Sequence, residues 1–128
     1  MNRRRPNPVR VQLRRTKGWR MPPGTVKVDR TTVFGNPFPL EPHGRSEAVR
    51  LYGLWIRGTL PAAAVPGGDA DALRARRAAV LDALPTLEGK NLACWCPLPA
   101  EPGEPDVCHA AILLELVHEK ARRGRRRR

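Results

Sequence analysis

The sequence predicts one small α/β domain, in which about three helices pack on a short mixed sheet between basic, disordered arms. The chain has 128 residues, which is enough for one domain. Short stretches with alternating apolar residues and longer stretches with helical spacing occur in the same chain, and helices packed on a small sheet bury both with few elements. Fourteen prolines and eleven glycines keep these elements short.

Three short strands are expected. Apolar and polar residues alternate over 9–14 and again over 26–29, as in strands with one buried face. A Pro-Pro-Gly turn at 22–24 separates the two, and 30–39 contains too much proline and glycine for a regular element. A third strand, buried on both faces, is predicted over 91–96.

Three helices complete the predicted order. The first is capped by Ser46 and stops at Gly58, the second lies between Asp69 and Pro85, and the third follows Asp106. Arg77 interrupts the apolar face of the second helix, so its stem should pack while its head reaches water. The residues expected to face the core are Ala48, Leu51, Tyr52 and Trp55, then Leu73, Val80, Leu81 and Leu84, and finally Val107, Ala110, Leu114 and Val117.

Positive charge is concentrated at the two ends of the chain. The net charge is +12, but residues 1–20 hold eight basic side chains and no acid, and 119–128 hold seven against Glu119. The part between them, 21–118, is nearly neutral at −2. We therefore predict a basic arm over 1–7, an α/β domain over 8–118 and a second basic arm over 119–128, and like-charged runs of this kind attract phosphates.

Composition also limits the class of protein. No stretch is apolar for long enough to cross a bilayer, and the basic N-terminus lacks the apolar run of a secretory signal. Three cysteines, an odd number, favour reduced thiols over a disulfide framework. These observations predict a cytosolic protein without a membrane partner. Phosphate-loop, dinucleotide-binding and serine-elbow motifs are absent from the sequence.

The sharpest chemical signal is Cys94-Trp95-Cys96 followed by Cys108-His109. Alternation along a strand puts the first two cysteines on one face and Trp95 on the other. Three sulfurs and an imidazole suit tetrahedral Zn²⁺, although adjacent helical residues such as Cys108 and His109 diverge by about 100°. A second interpretation makes these two residues catalytic, with a Cys108 thiolate stabilised by a helix N-terminus and His109 as base. In a third, the cysteines are simply buried apolar residues.

Two further segments can contact a phosphorylated ligand. Arg14, Arg15 and Lys17 surround Gly18, beside Trp19, so that the loop can hold a phosphate while the indole stacks on a base. Equally, Trp19 can pack under the sheet edge while the charges face water.

The second segment contains Arg30 and Asn36. Pro37 forces Asn36 out of helical geometry, which fixes the direction of its amide. That direction suits reading the edge of a nucleobase, with Arg30 on a phosphate, but a rigid structural turn would have the same sequence.

Four segments together resemble a known family. They are 11–19 (VQLRRTKGW), 35–38 (GNPF), 92–97 (LACWCP) and 108–110 (CHA). They are similar to the family called domain of unknown function 4326, small proteins common in phages and actinobacteria. The resemblance covers about 8–118, and it implies that these segments form one fold and one site without implying an activity.

Two functions are compatible with these observations. In the first, the domain handles a nucleotide or nucleic acid in a composite site made of the basic loop, the Asn-Pro loop and the Cys/His cluster, with or without catalysis. In the second, it is a zinc-stabilised, non-catalytic module whose basic arms bind nucleic acid. Ligand binding that persists without the arms would favour the first.

Overall fold

The computed structural model describes residues 8–41, 44–60, 70–101 and 103–126, excluding the side chains of 124–126. It confirms the predicted small α/β domain with three helices. A 3₁₀ turn, Leu84–Leu87, follows the second helix and buries both of its leucines. The strands are β1 (Arg10–Gln12), β2 (Thr25–Lys27) and β3 (Asn91–Cys94), and the helices are α1 (Gly44–Ile56), α2 (Ala70–Ala83) and α3 (His109–Arg126).

The sheet has the order β1-β3-β2, and β3 runs parallel to both of its neighbours. The prediction of a mixed sheet was therefore wrong for the described strands. The reason lies in the connection over 13–24, whose twelve residues are long enough to return the chain to the starting end of the sheet. Backbone bonds from Leu13 to Cys94 and from Val28 to Ala93, both 2.9 Å, continue the pairing beyond the strands.

The predicted apolar face of α1 is confirmed, because Ala48, Leu51, Tyr52 and Trp55 are all buried. The helix begins at Gly44, two residues before the predicted cap at Ser46. Gly44 has φ +85°, a value that favours glycine.

Helix α2 buries Val80, and the 3₁₀ turn that follows it buries Leu84. Leu73 and Leu81 are half-buried. Arg77 differs from the prediction, because its Nε donates to the carbonyl of Ile56 at 3.0 Å. Its head therefore caps the carboxyl end of α1 instead of lying in water.

Helix α3 begins at His109, three residues after the predicted cap at Asp106. This later start shifts the inward face, so that Leu113 and Leu116 are buried while Leu114 and Val117 are only half-buried. Ala110 is fully buried, as predicted.

The same helix extends through most of the segment expected to be a disordered arm, 119–128, as far as Arg126. Alanine, lysine and arginine are strong helix formers, so this basic segment prolongs a helix already held by its apolar face. The expected N-terminal arm, 1–7, lies outside the described residues. Within the described chain, every helix is too short or too polar to span a bilayer.

The buried indole of Trp55 should carry a large share of the stability. Its ring centroid lies 5.9 Å from that of Phe38 and 5.5 Å from that of Tyr52. Its Nε1 donates to the Leu73 carbonyl at 3.1 Å. Trp55→Ala is expected to lower the free energy of unfolding by about 3–5 kcal/mol in chemical denaturation. Leu98, 43% exposed, provides the control, because Leu98→Ala should cost less than about 0.5 kcal/mol. Equal effects of the two substitutions would contradict the assignment of the core.

Candidate metal centre

The carboxyl ends of all three strands meet at one edge of the sheet, because the strands are parallel. The basic loop leaves β1 at this edge, the Asn-Pro loop leaves β2, and Trp95 and Cys96 follow β3. Ligand sites of parallel sheets lie at this edge. The topology therefore brings the three predicted site segments to the same end of the domain.

Two cysteines and a histidine converge here. Cys94 is the last residue of β3, Cys108 lies immediately before α3, and His109 is the first residue of that helix. Their ligand atoms all lie within 4.8 Å of one another, and Cys108 Sγ is 4.0 Å from His109 Nδ1. The expected divergence of about 100° does not arise, because Cys108 precedes the helix and is free of its rotation. This cluster has a donor set that can hold a metal ion.

Cys96 lies beside the cluster, but it does not belong to the group whose ligand atoms are all within 4.8 Å of one another. Its Sγ is 3.9 Å from Cys94 Sγ, as expected for alternate residues on one face. The side chain is half-buried, whereas Cys94 and Cys108 are buried. Of the four predicted ligands, the structure thus groups three closely and places the fourth sulfur beside Cys94 and Cys108.

His109 presents Nδ1 to the sulfurs because its other ring nitrogen is occupied. Nε2 lies 2.5 Å from the carbonyl oxygen of Val28, which can only accept, so Nε2 carries the proton. Burial holds the pKa of His109 below its usual value, which keeps the ring neutral. The ring also contacts Tyr52, at 5.3 Å between centroids. A neutral imidazole with its second nitrogen fixed is the usual state of a metal-binding histidine.

The pKa of each thiol in this group depends on the neighbouring sulfurs. Contacts with the thiols of Cys108 and Cys96 lower the pKa of Cys94 strongly. Contacts with Cys94 and Cys96, together with burial, raise the pKa of Cys108. The pKa lowering expected at Cys108 therefore occurs at Cys94. The amide of Ala110 does donate to Cys108 Sγ at 3.4 Å, as a helix N-terminus should. The contacts of Cys108 with Cys94 and Cys96, together with its burial, outweigh this contribution.

A cavity of about 320 Å³ opens beside the cluster. Its wall includes Cys94, Cys96 and His109, and we call it the cluster cavity. Arg30 and Asn36, both predicted to contact a ligand, also line it. The cavity therefore joins the Asn-Pro loop and the Cys/His residues in one site.

Within this site, Asn36 is held by the protein itself. Its Nδ2 donates to the Ala48 carbonyl at 2.9 Å, and its Oδ1 accepts from the Phe38 amide at 2.9 Å. Arg30 donates through Nη1 to the Asn36 carbonyl at 2.6 Å. These bonds give Asn36 the role of a structural turn, and its contact with a ligand stays a prediction.

The basic loop reaches the cavity through Arg15. The guanidinium carbon of Arg15 lies 4.9 Å from the ring centroid of Trp95, and Trp95 lines the cavity. Arg14 and Lys17 are exposed, Trp19 is half-buried, and none of the three is among the residues that line the cavity. Ligand binding by these three residues stays a prediction.

The cavity residues not predicted from the sequence include Asp29, Arg45 and Trp95. Asp29 is 3% exposed, and its carboxylate accepts from Thr31 and, at 2.9 Å, from Trp95 Nε1. Burial raises the pKa of Asp29, but these hydrogen bonds outweigh it and bring the pKa below its usual value. Asp29 and Trp95 could have been found from their positions, because each lies just after a strand, where ligand sites of parallel sheets occur. Arg45, in the first turn of α1, carried no such signal.

A family model described as Domain of unknown function (DUF4326) matches residues 11–119, which include all the residues of the cluster. The chain belongs to the DUF4326 family. The resemblance found in the sequence is thereby confirmed. No curated protein and no solved structure matches the DUF4326 chain.

Gly35 is required by the tight Asn-Pro loop. A Cβ at this position would lie 2.4 Å from Arg30 Cα and 2.7 Å from the Asp29 carbonyl oxygen, both backbone atoms. Gly35→Ala should therefore displace the loop and lower the free energy of unfolding by about 1–3 kcal/mol, measured by denaturant titration. The control is Gly53→Ala in α1, where the new Cβ meets only the flexible end of Ile112 and helix propensity improves. Equal stability of the two variants would show that the loop is not tightly constrained.

Proposed function

We propose that the DUF4326 domain binds Zn²⁺ through Cys94, Cys108 and His109, and that the cluster cavity receives a nucleotide or a similar phosphorylated molecule. The observation that carries this proposal is the convergence of three metal-ligand atoms within 4.8 Å, because two of the three residues, Cys94 and His109, line a cavity that arginines also line. Metal and ligand would then occupy one site.

The donor set favours zinc over harder ions. Thiolate and imidazole are typical ligands of Zn²⁺, whereas Mg²⁺ and Ca²⁺ prefer oxygen. His109 offers Nδ1 in a neutral ring, and the Val28 carbonyl supplies the outer hydrogen bond that orients such ligands. Thiols that remain reduced fit the cytosol, which is the location we propose. A bound metal would also add stability to a small core that is poor in aromatic residues.

The surroundings of the cavity favour a phosphorylated ligand. Arg30 and Arg45 both line it, and both side chains are largely exposed. Trp95, 40% exposed, adds an aromatic surface on which a base can stack. Guanidinium groups beside an aromatic ring match the phosphate and the base of a nucleotide.

A second candidate function is a zinc-stabilised module that binds nucleic acid through its basic ends. It is favoured by Lys120, Arg122 and Arg123, which are exposed near the end of α3. In this case Zn²⁺ would be structural, and substitutions in the cavity would leave nucleic-acid binding unchanged. Catalytic roles for Cys108 and His109 would also be excluded.

Purified protein should contain about one zinc ion per chain when measured by mass spectrometry of the metal. Cys94→Ser and Cys108→Ser should each lose most of this zinc, because a removed ligand weakens the site and its binding energy contributes to folding. Addition of a strong chelator should lower the melting temperature of the wild-type protein.

Cys96→Ser is the matched control for these variants. The same change of sulfur to oxygen, 3.9 Å from Cys94 Sγ, should preserve most of the zinc because Cys96 is outside the close set. The metal site would be contradicted by a purified protein that contains no metal, folds normally and keeps the same melting temperature when chelator is added. Equal loss of zinc in all three variants would instead make Cys96 a fourth ligand, as the sequence predicted.

The ligand half of the proposal is tested with a nucleoside monophosphate in isothermal titration calorimetry. Arg45→Ala should weaken binding by about tenfold or more, because it removes a charge-assisted contact to the phosphate. Arg50→Ala, in the same helix and paired with Glu47, should leave binding unchanged. Wild-type protein with full zinc content and no nucleotide affinity would contradict this half alone.

A further inference from the structure

The exposed loop after β1 carries positive charge that the described fold does not neutralise. Between residues 8 and 28 the sequence has six basic side chains and no acidic one. Two of the six, Arg10 and Lys27, are paired with Asp106 and Asp29. The other four are exposed and form no ion pair with another described residue. They are Arg14, Arg15, Lys17 and Arg20, and we call them the loop cations.

This charged loop leads directly to the cluster cavity. The Leu13 amide donates to the Cys94 carbonyl at 2.9 Å, so the loop leaves the sheet beside the metal cluster. Arg15 then lies over the indole of Trp95, at 4.9 Å from its centroid. The loop cations and the cavity therefore form neighbouring parts of one surface.

Trp95 is exposed and yet fixed in direction. Its Nε1 donates to Asp29, a carboxylate that is almost fully buried. A buried carboxylate and a stacked guanidinium thus hold an aromatic surface at the mouth of the cavity. Fixed aromatic rings beside cations form the stacking surfaces on which proteins bind single-stranded nucleic acid.

We propose that the loop cations and Trp95 bind the backbone and a base of a single-stranded nucleic acid, with one nucleotide of that strand entering the cluster cavity. At about 320 Å³ the cavity is near the lower end of ligand-site sizes, so it suits one nucleotide. Cations outside it would contact the phosphates of neighbouring nucleotides. A duplex fits less well, because its bases must leave the stack before one can enter a pocket. This inference rests on the proposed function, since it requires the cavity to accept a nucleotide.

The test uses full-length, zinc-loaded protein and a fluorescein-labelled oligothymidylate of about twelve nucleotides, with binding measured by anisotropy. The double variant Arg15→Ala/Lys17→Ala should lose about tenfold or more in affinity. Two lost phosphate contacts should also reduce the slope of log affinity against log salt by about 1.4. The control is Arg50→Ala/Arg74→Ala, which removes the same charge from exposed positions on α1 and α2. It should bind like wild type.

The arms are identical in all these proteins, so their charge cannot produce a difference between the two double variants. The inference is overturned if both lose affinity equally, if neither does, or if a duplex of the same length binds as tightly as the single strand. Zinc content should be unchanged in the loop variant. A wild-type protein that does not bind a nucleoside monophosphate would count against the proposed function. A wild-type protein that binds the mononucleotide, with an oligonucleotide affinity that the loop substitutions do not change, would count only against this inference.

Discussion

The described sheet depends on its central strand, β3. Both β1 and β2 pair with it, and in the described chain they do not pair with each other, so four residues bind the two sides of the sheet together. Two of these residues, Leu92 and Ala93, are completely buried between the layers of the domain. The strand ends at Cys94, which is also the first residue of the cluster that can hold a metal ion. The element that holds the fold together therefore also determines where its chemistry can occur.

The hydrogen bond from His109 to the Val28 carbonyl connects this sheet to α3. It fixes the end of β2 against the start of the helix and turns the free ring nitrogen toward the sulfurs. Tyr52 supports the same region from α1, because its ring contacts His109 and its hydroxyl donates to the Phe34 carbonyl at 3.1 Å. Arg76 of α2 donates to the Gly35 carbonyl at 3.0 Å. Each helix thus contributes to holding the cluster or the Asn-Pro loop, which makes the site rigid.

Much of this arrangement could be predicted from local pattern. The buried face of α1 and the alternation of Cys94 and Cys96 follow from the periodicity of helices and strands. The close approach of Cys108 and His109 does not, because it requires Cys108 to precede the helix. The parallel direction of the strands could not be predicted in this way. Segment 13–24, which connects β1 to β2, contains no helix of the kind that usually joins parallel strands. The length of α3 was not predicted, because its basic residues were expected to repel one another into a disordered arm. Lysine and arginine also have high helix propensity, and here they continue the helix. The lowering of the pKa at Cys94 instead of Cys108 depends on contacts between residues distant in sequence.

Helix α3 carries His109, a residue of the Cys/His cluster, in its first turn and exposed basic residues toward its other end. With a rise of about 1.5 Å per residue, His109 and Arg123 are separated by about 21 Å along a continuous helix. That distance is several times the length of a phosphate group and comparable to a run of several nucleotides. One phosphate group therefore cannot contact both ends of the helix, so the Cys/His cluster and the basic residues near Arg123 are separate parts of the surface.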